Sequence, residues 1–431
     1  MTVQKQQQGN IVAIVMMIFL FAMISFVTNL AAPMGVIVKA QFLEGSPNAN
    51  FLGMLGNFAN FLAYLFMGVP AGLLLQKIGY KKTALLAIAV GLVGVFIQYL
   101  SGVSASFIVY LLGAFVCGFS VCMLNTVVNP MLNTLGGGGK KGNQLLQIGG
   151  SLNSLAGTTT PLLVGILIGQ VTRETAITDV NPVLFIAMGI FLVVGIVLSL
   201  VKIPEPHLSK NTAEKGKHSP WAFNHFVLGA IAIFVYVGVE VGIPGTLNLF
   251  LADPTTGLNP TTAAATAGLV AATYWFMMLI GRFVGGSIGG KVSSKAMLSV
   301  ASGVGILLVL VAICSPLATR VSMPVFTGSS FIMAQVPLSA MLLVLVGLCT
   351  SVMWGGIFNL AVEGLGKYVA AASGIFMMMV VGGGILPLLQ NFIADKAGYM
   401  TSYWIPLIGL AYLLFYALVG SKNVNKDIPV E

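Results

Sequence analysis

The chain has 431 residues, of which 57% are hydrophobic and only 7% are charged, with a net charge of +9 at pH 7. Soluble domains carry about a quarter charged residues, so this composition excludes a soluble protein and indicates a polytopic membrane protein. The positive charge lies in short loops between apolar runs, which argues against a nucleic-acid-binding surface. The four cysteines lack metal-binding spacing, and we predict neither a metal site nor a cofactor.

Twelve apolar runs are long enough to cross a bilayer as helices, and polar or glycine-rich breaks separate them. We therefore predict an all-α membrane protein with twelve transmembrane spans, at residues 11–38, 50–76, 82–101, 105–134, 144–170, 181–202, 223–251, 262–289, 295–315, 333–361, 369–394 and 400–421. The longest polar segment divides the chain into residues 1–201, a linker at 202–220 and residues 221–431. Each half contains six spans.

Lysine and arginine placement predicts the orientation of the spans. Twelve spans place both termini on the same side of the membrane. Loops on that side hold fifteen of the twenty basic residues, loops on the other side hold four, and Arg282 lies within span 8. Because positively charged loops remain in the cytoplasm, we predict that both termini and the linker are cytoplasmic.

Several residues of the first half recur in the same order on corresponding spans of the second half. The offsets run from 211 to 230 residues, and the matched pairs are Asn29 with Glu240, Gly72 with Gly286, Asn129 with Asn359, and Gly157 with Gly383. A duplicated six-helix bundle is the plan of major-facilitator transporters, which bind their substrate near the middle of the membrane between the halves.

One carboxylate lies deep within an apolar span. Between His225 and Asp253 the sequence contains no charged residue except Glu240. A charge near the centre of a membrane helix costs at least ~2.5 kcal/mol and usually faces the bundle interior or a watery cavity. We therefore predict that Glu240, with Tyr236 one turn before it, belongs to a substrate or ion site. A purely structural pairing with a neighbouring helix is the alternative.

Arg282 is the other charge within a span. Counting the rise per residue places Arg282 about 12 Å, and Glu240 about 21 Å, from the cytoplasmic ends of their helices. This difference favours a side chain that extends towards the lipid headgroups over an ion pair with Glu240.

Amides and aromatic rings mark the remaining candidate residues. Buried amides donate and accept hydrogen bonds as sugar hydroxyls do, and aromatic faces stack on pyranose rings. Helix–helix hydrogen bonding and ordinary core packing are the alternative roles. The candidates for substrate binding are Asn57, Asn60, Tyr64, Asn125, Asn129, Asn153, Tyr236, Glu240, Asn248, Trp275, Trp354, Asn359 and Gln390.

Short runs over most of the chain resemble the fucose–galactose–glucose:proton symporter family of major-facilitator proteins. They include Thr28-Asn29-Leu30, residues 63–72, Asn129-Pro130, Asn153-Ser154, Tyr236-Val237-Gly238, residues 280–283, residues 357–366 and residues 382–384. The resemblance implies a sugar importer of the bacterial inner membrane that works by alternating access and acts as a monomer. It also implies a proton as the coupling ion.

Two acids implicated in proton coupling in this family are absent from the chain. One follows the T-N-L run of span 1 and the other precedes the N-P pair of span 4; the chain has Ala32 and Asn125 there. Glu240 is therefore the main candidate for proton coupling. Uncoupled transport and coupling to sodium remain alternatives.

Functions of another class fit the sequence less well. No HExxH motif or mid-membrane carboxylate pair indicates an intramembrane enzyme, and we predict that the protein is not an enzyme. A transporter-like sensor is expected to carry a soluble signalling domain, and the tails outside the spans are about ten residues each. We therefore expect a secondary active importer of hexoses or deoxyhexoses, with the lipid bilayer, a sugar and a proton as its partners.

Overall fold

The structure is a computed structural model that describes residues 3–43, 45–135, 139–168, 175–205, 219–256, 258, 263–288, 292–365, 368–424 and 428. Most of the predicted linker, residues 206–218, lies outside this description, and so does the side chain of Ala32.

The helices of the first half are α1 (Val3–Asn29), α2 (Ala31–Phe42), α3 (Ala49–Gly53), α4 (Leu55–Ile78), α5 (Tyr80–Ser104), α6 (Phe107–Leu135), α7 (Gly139–Ile168) and α8 (Asn181–Leu200). Those of the second half are α9 (Asn224–Ala252), α10 (Ala263–Ile288), α11 (Ser294–Cys314), α12 (Leu338–Thr350), α13 (Met353–Val362), α14 (Val369–Met379), α15 (Gly382–Ala397), α16 (Tyr399–Ser402) and α17 (Trp404–Phe415), which continues as a π-helix over Tyr416–Gly420. Short 3-10 turns lie at Ile177–Val180, Pro220–Ala222 and Pro254–Thr256.

Within the described ranges, twelve helical segments are long and apolar enough to cross a membrane, as predicted. The prediction for span 10 is wrong at its start, because residues 333–337 belong to a β-hairpin formed by β1 (Arg320–Phe326) and β2 (Phe331–Pro337). The span itself begins at Leu338. The apolar second strand runs directly into the apolar helix, and hydropathy alone does not separate the two.

Three spans are interrupted near the middle of the bundle. Span 1 changes from α1 to α2 at Leu30, span 10 from α12 to α13 at Ser351 and Val352, and span 11 from α14 to α15 at Val380 and Val381. The backbone stays close to helical at these points, with hydrogen bonds to the third preceding residue at Val380 and Val381, and such local irregularity at membrane depth is tolerated where protein or a water-filled cavity satisfies the polar groups. The interruptions therefore mark the part of the bundle where a cavity is expected.

The two halves meet along two seams. In one, α7 packs against α10, where Gly157 lies beside the indole of Trp275. In the other, α4 packs against α14 and α15, where Gly68 lies against the backbone of Met378. We call the face of the bundle that carries Lys77 and Lys295 the lysine-rich end, and the face that carries Lys39 the lysine-poor end. In the first seam α7 and α10 run antiparallel between these ends, and in the second seam α4 runs antiparallel to α14 and α15.

Gly118 provides a test of packing within the first half. A Cβ at Gly118 would overlap the backbone carbonyl of Asn60 on α4, whereas Gly189 on α8 has no atom within 4 Å of the corresponding position. We expect Gly118→Ala to lower the free energy of unfolding by about 1–3 kcal/mol, the usual cost of overpacking. Thermal unfolding of the purified protein in detergent measures the change, with Gly189→Ala as the control. Equal unfolding midpoints for the two variants would contradict the tight contact.

Candidate functional site

A cavity of about 150 Å³ lies between the two halves, close to the interruptions in spans 1, 10 and 11. Both halves contribute polar side chains to its wall, and the second half adds two tryptophans: Ser25, Thr28, Asn29, Tyr64, Asn125, Asn129 and Asn153 from the first, and Tyr236, Glu240, Trp275, Arg282, Ser351, Trp354 and Asn359 from the second. Because one water needs about 10–15 Å³ on this measure, the cavity holds roughly ten water-sized spheres.

The cavity extends from the middle of the bundle to the lysine-rich end. Leu146 lines it and precedes the apolar part of span 5, which begins at Ile148. Asn359 also lines it, three residues before α13 ends at Val362, and its side chain is exposed. The site is therefore open towards the lysine-rich end.

Glu240 and Arg282 form an ion pair in the cavity wall, with Arg282 Nη2 3.4 Å from Glu240 Oε1. The two side chains are 13% and 10% exposed. Arg282 Nη1 also donates a hydrogen bond to the Ser154 hydroxyl at 2.6 Å and another to the Gly150 carbonyl. Glu240 and Arg282 belong to the second half, and Gly150 and Ser154 belong to the first. The guanidinium therefore connects the carboxylate to the facing half.

The expectation that Arg282 extends towards the headgroups is wrong. Counted over the whole residue, Arg282 is only 9% exposed, and its guanidinium points into the bundle. The estimate from the rise per residue compared the heights of two Cα atoms on separate helices, and it left out the length of the arginine side chain. In an apolar interior, a nearby carboxylate and two oxygen acceptors give the guanidinium a better environment than lipid does.

Three amides on the cavity wall are held in a fixed orientation by backbone carbonyls. The Nδ2 groups of Asn29, Asn129 and Asn153 donate to the carbonyls of Ser25, Asn125 and Phe21 at 2.9, 2.9 and 3.0 Å. A carbonyl only accepts, so the nitrogen of each amide is assigned by its partner. Their Oδ1 atoms accept no hydrogen bond from another described side chain or backbone group. This part of the wall therefore presents acceptors, which hydroxyl groups of a ligand can satisfy.

Aromatic rings form the apolar part of the wall. The rings of Tyr236 and Trp354 have centroids 6.2 Å apart, and Trp275 lies edge-on to Tyr274 at 5.7 Å. On the opposite half, the Tyr64 hydroxyl accepts a hydrogen bond from Asn125 Nδ2 at 2.8 Å. The combination of ring faces and oriented amides suits a ligand with an apolar face and a hydroxyl-rich edge.

The structure brings nine of the thirteen predicted site residues together around the cavity: Tyr64, Asn125, Asn129, Asn153, Tyr236, Glu240, Trp275, Trp354 and Asn359. The other four, Asn57, Asn60, Asn248 and Gln390, are buried in helix packing and do not line it. All four lie nearer the lysine-poor end than Glu240 does. Helical periodicity predicts the face of a helix on which a residue lies. It does not predict at which depth of the bundle that face borders a cavity.

The sequence interpretation missed Ser25, Thr28, Asn29 and Ser351 as lining residues. A signal for Asn29 was present, because the internal repeat pairs Asn29 with Glu240. No comparable signal exists for Ser351, which reaches the cavity because α12 ends there. Among the described residues, no group of three or more His, Cys, Asp or Glu side chains is placed to hold a metal ion.

Twelve spans in two facing halves, with a cavity between them lined by interrupted helices, define a secondary transporter. The chain belongs to the Major Facilitator Superfamily, whose family model matches residues 13–386. This membership confirms the predicted fold and the interpretation of the protein as a transporter rather than an enzyme.

Relatives with assigned names support the more specific resemblance. The glucose/galactose transporter of Brucella abortus is 33% identical over 386 residues, covering 86% of this chain and 85% of the relative. The putative glucose/galactose transporter of Helicobacter pylori is 28% identical over 435 residues, covering 97% and 99%. A crystal structure of the E. coli fucose:proton symporter FucP matches with a TM-score of 0.71 at 19% identity, over 96% of this chain and 100% of that one.

The ion pair predicts a non-additive effect on stability. Arg282→Met leaves the Glu240 carboxylate buried without its partner, and breaking such a pair costs about 3–5 kcal/mol. Adding Glu240→Gln removes the stranded charge, so we expect the double variant to be more stable than Arg282→Met alone. Thermal unfolding in detergent measures this double-mutant cycle.

The control for this cycle is Arg320→Met, since Arg320 is exposed and bonds to the Thr256 carbonyl near the lysine-poor end. We expect it to shift the unfolding midpoint little. Additive effects of the Glu240 and Arg282 changes would show that the two side chains do not interact.

Proposed function

We propose that this protein imports a hexose or deoxyhexose across the bacterial inner membrane together with a proton. The observation that carries the proposal is the buried Glu240–Arg282 pair in the wall of a cavity that also holds oriented amides and two tryptophans. The candidate sugar site and the titratable carboxyl thus share one cavity, where the charge on Glu240 can act directly on sugar binding. The names of the bacterial relatives support a sugar as the substrate.

The lining chemistry supports a monosaccharide in this cavity. The acceptor oxygens of Asn29, Asn129 and Asn153 fit sugar hydroxyl groups, and Trp275 and Trp354 provide faces for the C–H surface of a pyranose. A ligand with fewer hydroxyls would leave these amide oxygens without partners, and each unpaired buried group costs about 1–3 kcal/mol. The site therefore favours hydroxyl-rich ligands over apolar ones.

Glu240 is the proposed proton carrier. It is the one carboxylate among the residues described around the cavity, and Ala32 and Asn125 occupy the positions of the family's acids. Protonation removes the negative charge from the carboxyl and weakens its attraction to Arg282. Arg282 then retains its bonds to Gly150 and Ser154 on the other half. The charge on Glu240 thereby sets how strongly Arg282 is held within its own half, while the same guanidinium remains bonded to the first half.

We place the lysine-rich end in the cytoplasm, since positively charged loops stay on that side. Both termini are then cytoplasmic, and the structure represents the state in which the cavity opens inwards. Release of the sugar into the cytoplasm follows from this state, and uptake requires a second state open to the other side. A single chain contains the whole cavity, which supports action as a monomer.

Sugar uptake into proteoliposomes tests the proposal. With an inward proton gradient, we expect the wild type to accumulate glucose or galactose above its external concentration. We expect Glu240→Gln to equilibrate the sugar without accumulation, because the amide cannot carry a proton. Asn248→Ala is a matched control, since it alters a buried polar residue of the same helix that does not line the cavity.

Each alternative has its own result in this assay. Equilibration without accumulation in both the wild type and Glu240→Gln identifies an uncoupled carrier. Accumulation driven by a sodium gradient identifies sodium coupling. Failure to move any hexose or deoxyhexose under any gradient would overturn the sugar assignment.

Tryptophan fluorescence tests binding without transport. The protein has four tryptophans, of which Trp275 and Trp354 line the cavity and Trp221 and Trp404 are exposed. A bound sugar displaces water from the cavity rings, so we expect titration with the transported sugar to shift the emission to shorter wavelength. Replacing both cavity tryptophans with phenylalanine should abolish the shift. The matched Trp221→Phe, Trp404→Phe variant should retain it, and the opposite pattern would place the sugar elsewhere.

A further inference from the structure

A charged cluster joins the two halves at the lysine-poor end, far from the cavity mouth. Asp395, near the end of α15 in the second half, accepts hydrogen bonds from two backbone N–H groups of α3 in the first half. These bonds measure 3.2 Å from Asn50 and 2.8 Å from Phe51. The first N–H groups of a helix have no partner within the helix, so the carboxylate satisfies groups that would otherwise need water.

The side chain of Asn50 is the centre of the same cluster. Its Oδ1 accepts hydrogen bonds from Lys39 Nζ at 2.6 Å and from the Tyr399 hydroxyl at 3.1 Å. Lys39 lies 3.8 Å from the Asp253 carboxylate, and the Tyr399 oxygen lies 3.2 Å from it. Lys39 and Asn50 belong to the first half, and Asp253 and Tyr399 belong to the second. We call Lys39, Asn50, Asp253, Asp395 and Tyr399 the outer latch.

A layer of glycine and aromatic contacts lies between the outer latch and the cavity. A Cβ at Gly384 on α15 would come within 2.9 Å of the Phe61 Cβ and 3.1 Å of the Phe58 Cα, both on α4. The neighbouring Gly383 carbonyl accepts a hydrogen bond from Asn57 Nδ2 at 2.8 Å. This close approach of backbones leaves no path from the cavity to the lysine-poor face along this seam. We call the contact of α4 with Gly383 and Gly384 the glycine seal.

We infer that the outer latch and the glycine seal together form the gate that closes the site on the lysine-poor side. In the opposite conformation the halves separate at this end, so the cross-half bonds of Asp395, Lys39 and Asn57 must break. The amide of Asn57, buried here, then becomes accessible. This gate rests on the transporter class of the protein and depends on neither the sugar nor the coupling ion.

The members of the outer latch contribute unequally. Asp395 accepts two hydrogen bonds as a charged group, and such bonds are stronger than neutral ones. The Lys39 side chain is 26% exposed, so its ammonium is partly dehydrated while the gate is closed. Removing Asp395 should therefore open the gate more than removing the charge of Lys39.

Cysteine labelling measures gate opening. In a background without the four native cysteines, Met54→Cys places a thiol between the outer latch and the cavity, where Met54 is 5% exposed and contacts Gly245. A charged maleimide is applied to the purified protein in detergent, so both faces are reached and the membrane orientation has no influence. We expect Asp395→Ala to raise the labelling rate by about tenfold or more, and Lys39→Gln by less.

Three controls separate gate opening from general loosening. Asp179→Ala removes a carboxylate near the same end that bonds to the Ala176 N–H within the first half, and it should leave labelling unchanged. Gly384→Ala should raise labelling as Asp395→Ala does, whereas Gly374→Ala, whose nearest atoms are 3.9 Å away, should not. Cys122, fully buried in α6 and kept as the sole cysteine, reports unfolding and should stay unreactive.

Two results would overturn the gate. One is an unchanged labelling rate at Met54→Cys in both Asp395→Ala and Gly384→Ala. The other is an equal rise in Asp179→Ala and Gly374→Ala. Because sugar transport is not measured, failure of the gate and failure of the proposed symport are distinguished by different experiments.

Discussion

The ion pair of Glu240 and Arg282 is the contact on which the middle of this bundle depends. Neither charge is tolerated alone at this depth, so the two helices that carry them, α9 and α10, must place the side chains together. The same guanidinium bonds to Gly150 and Ser154, and through it the carboxylate is connected to the facing half. A change in the charge of Glu240 therefore acts on the cavity wall and on the interface between the halves at once. No separate chain of contacts is needed to connect the cavity wall with the interface between the halves.

The second constraint is the close approach of backbones along the two seams. Gly157 allows the indole of Trp275 to lie against α7, and Gly383 and Gly384 allow α4 to lie against α15. Seams built from small residues bring helices together by packing and hydrogen bonds, because lipid provides no hydrophobic force between them. Alternating access in this class of fold is a rocking of one half against the other about the central site. The structure is closed by polar bonds at one end and open at the other, which is one of the two states that such rocking requires.

The internal repeat has a direct structural meaning. Asn29 and Glu240, which occupy matched positions, both line the cavity, and so do Asn129 and Asn359. Gly157 and Gly383, also matched, lie in the two different seams between the halves. Equivalent positions in the two halves therefore serve equivalent places around one site. The halves differ in charge, since the amide of Asn29 corresponds to the carboxylate of Glu240, and this difference places the titratable group on one side only.

The sequence by itself determined the number of spans and nine of the side chains that line the cavity. Every backbone polar group in a bilayer must be satisfied within the chain, which limits spanning segments to long apolar helices that hydropathy detects. The cost of a lone charge in an apolar span then placed Glu240 inside the bundle, and the hydrogen-bonding needs of a buried amide did the same for Asn125. Tertiary structure decided depth and pairing. Asn57 and Gln390 lie on the closed side of the site, and Arg282 turns inwards to Glu240, because these outcomes depend on how helices distant in sequence are aligned. The hairpin before span 10 was hidden for a related reason, since a strand and a helix of equal hydrophobicity differ only in the partners that they find.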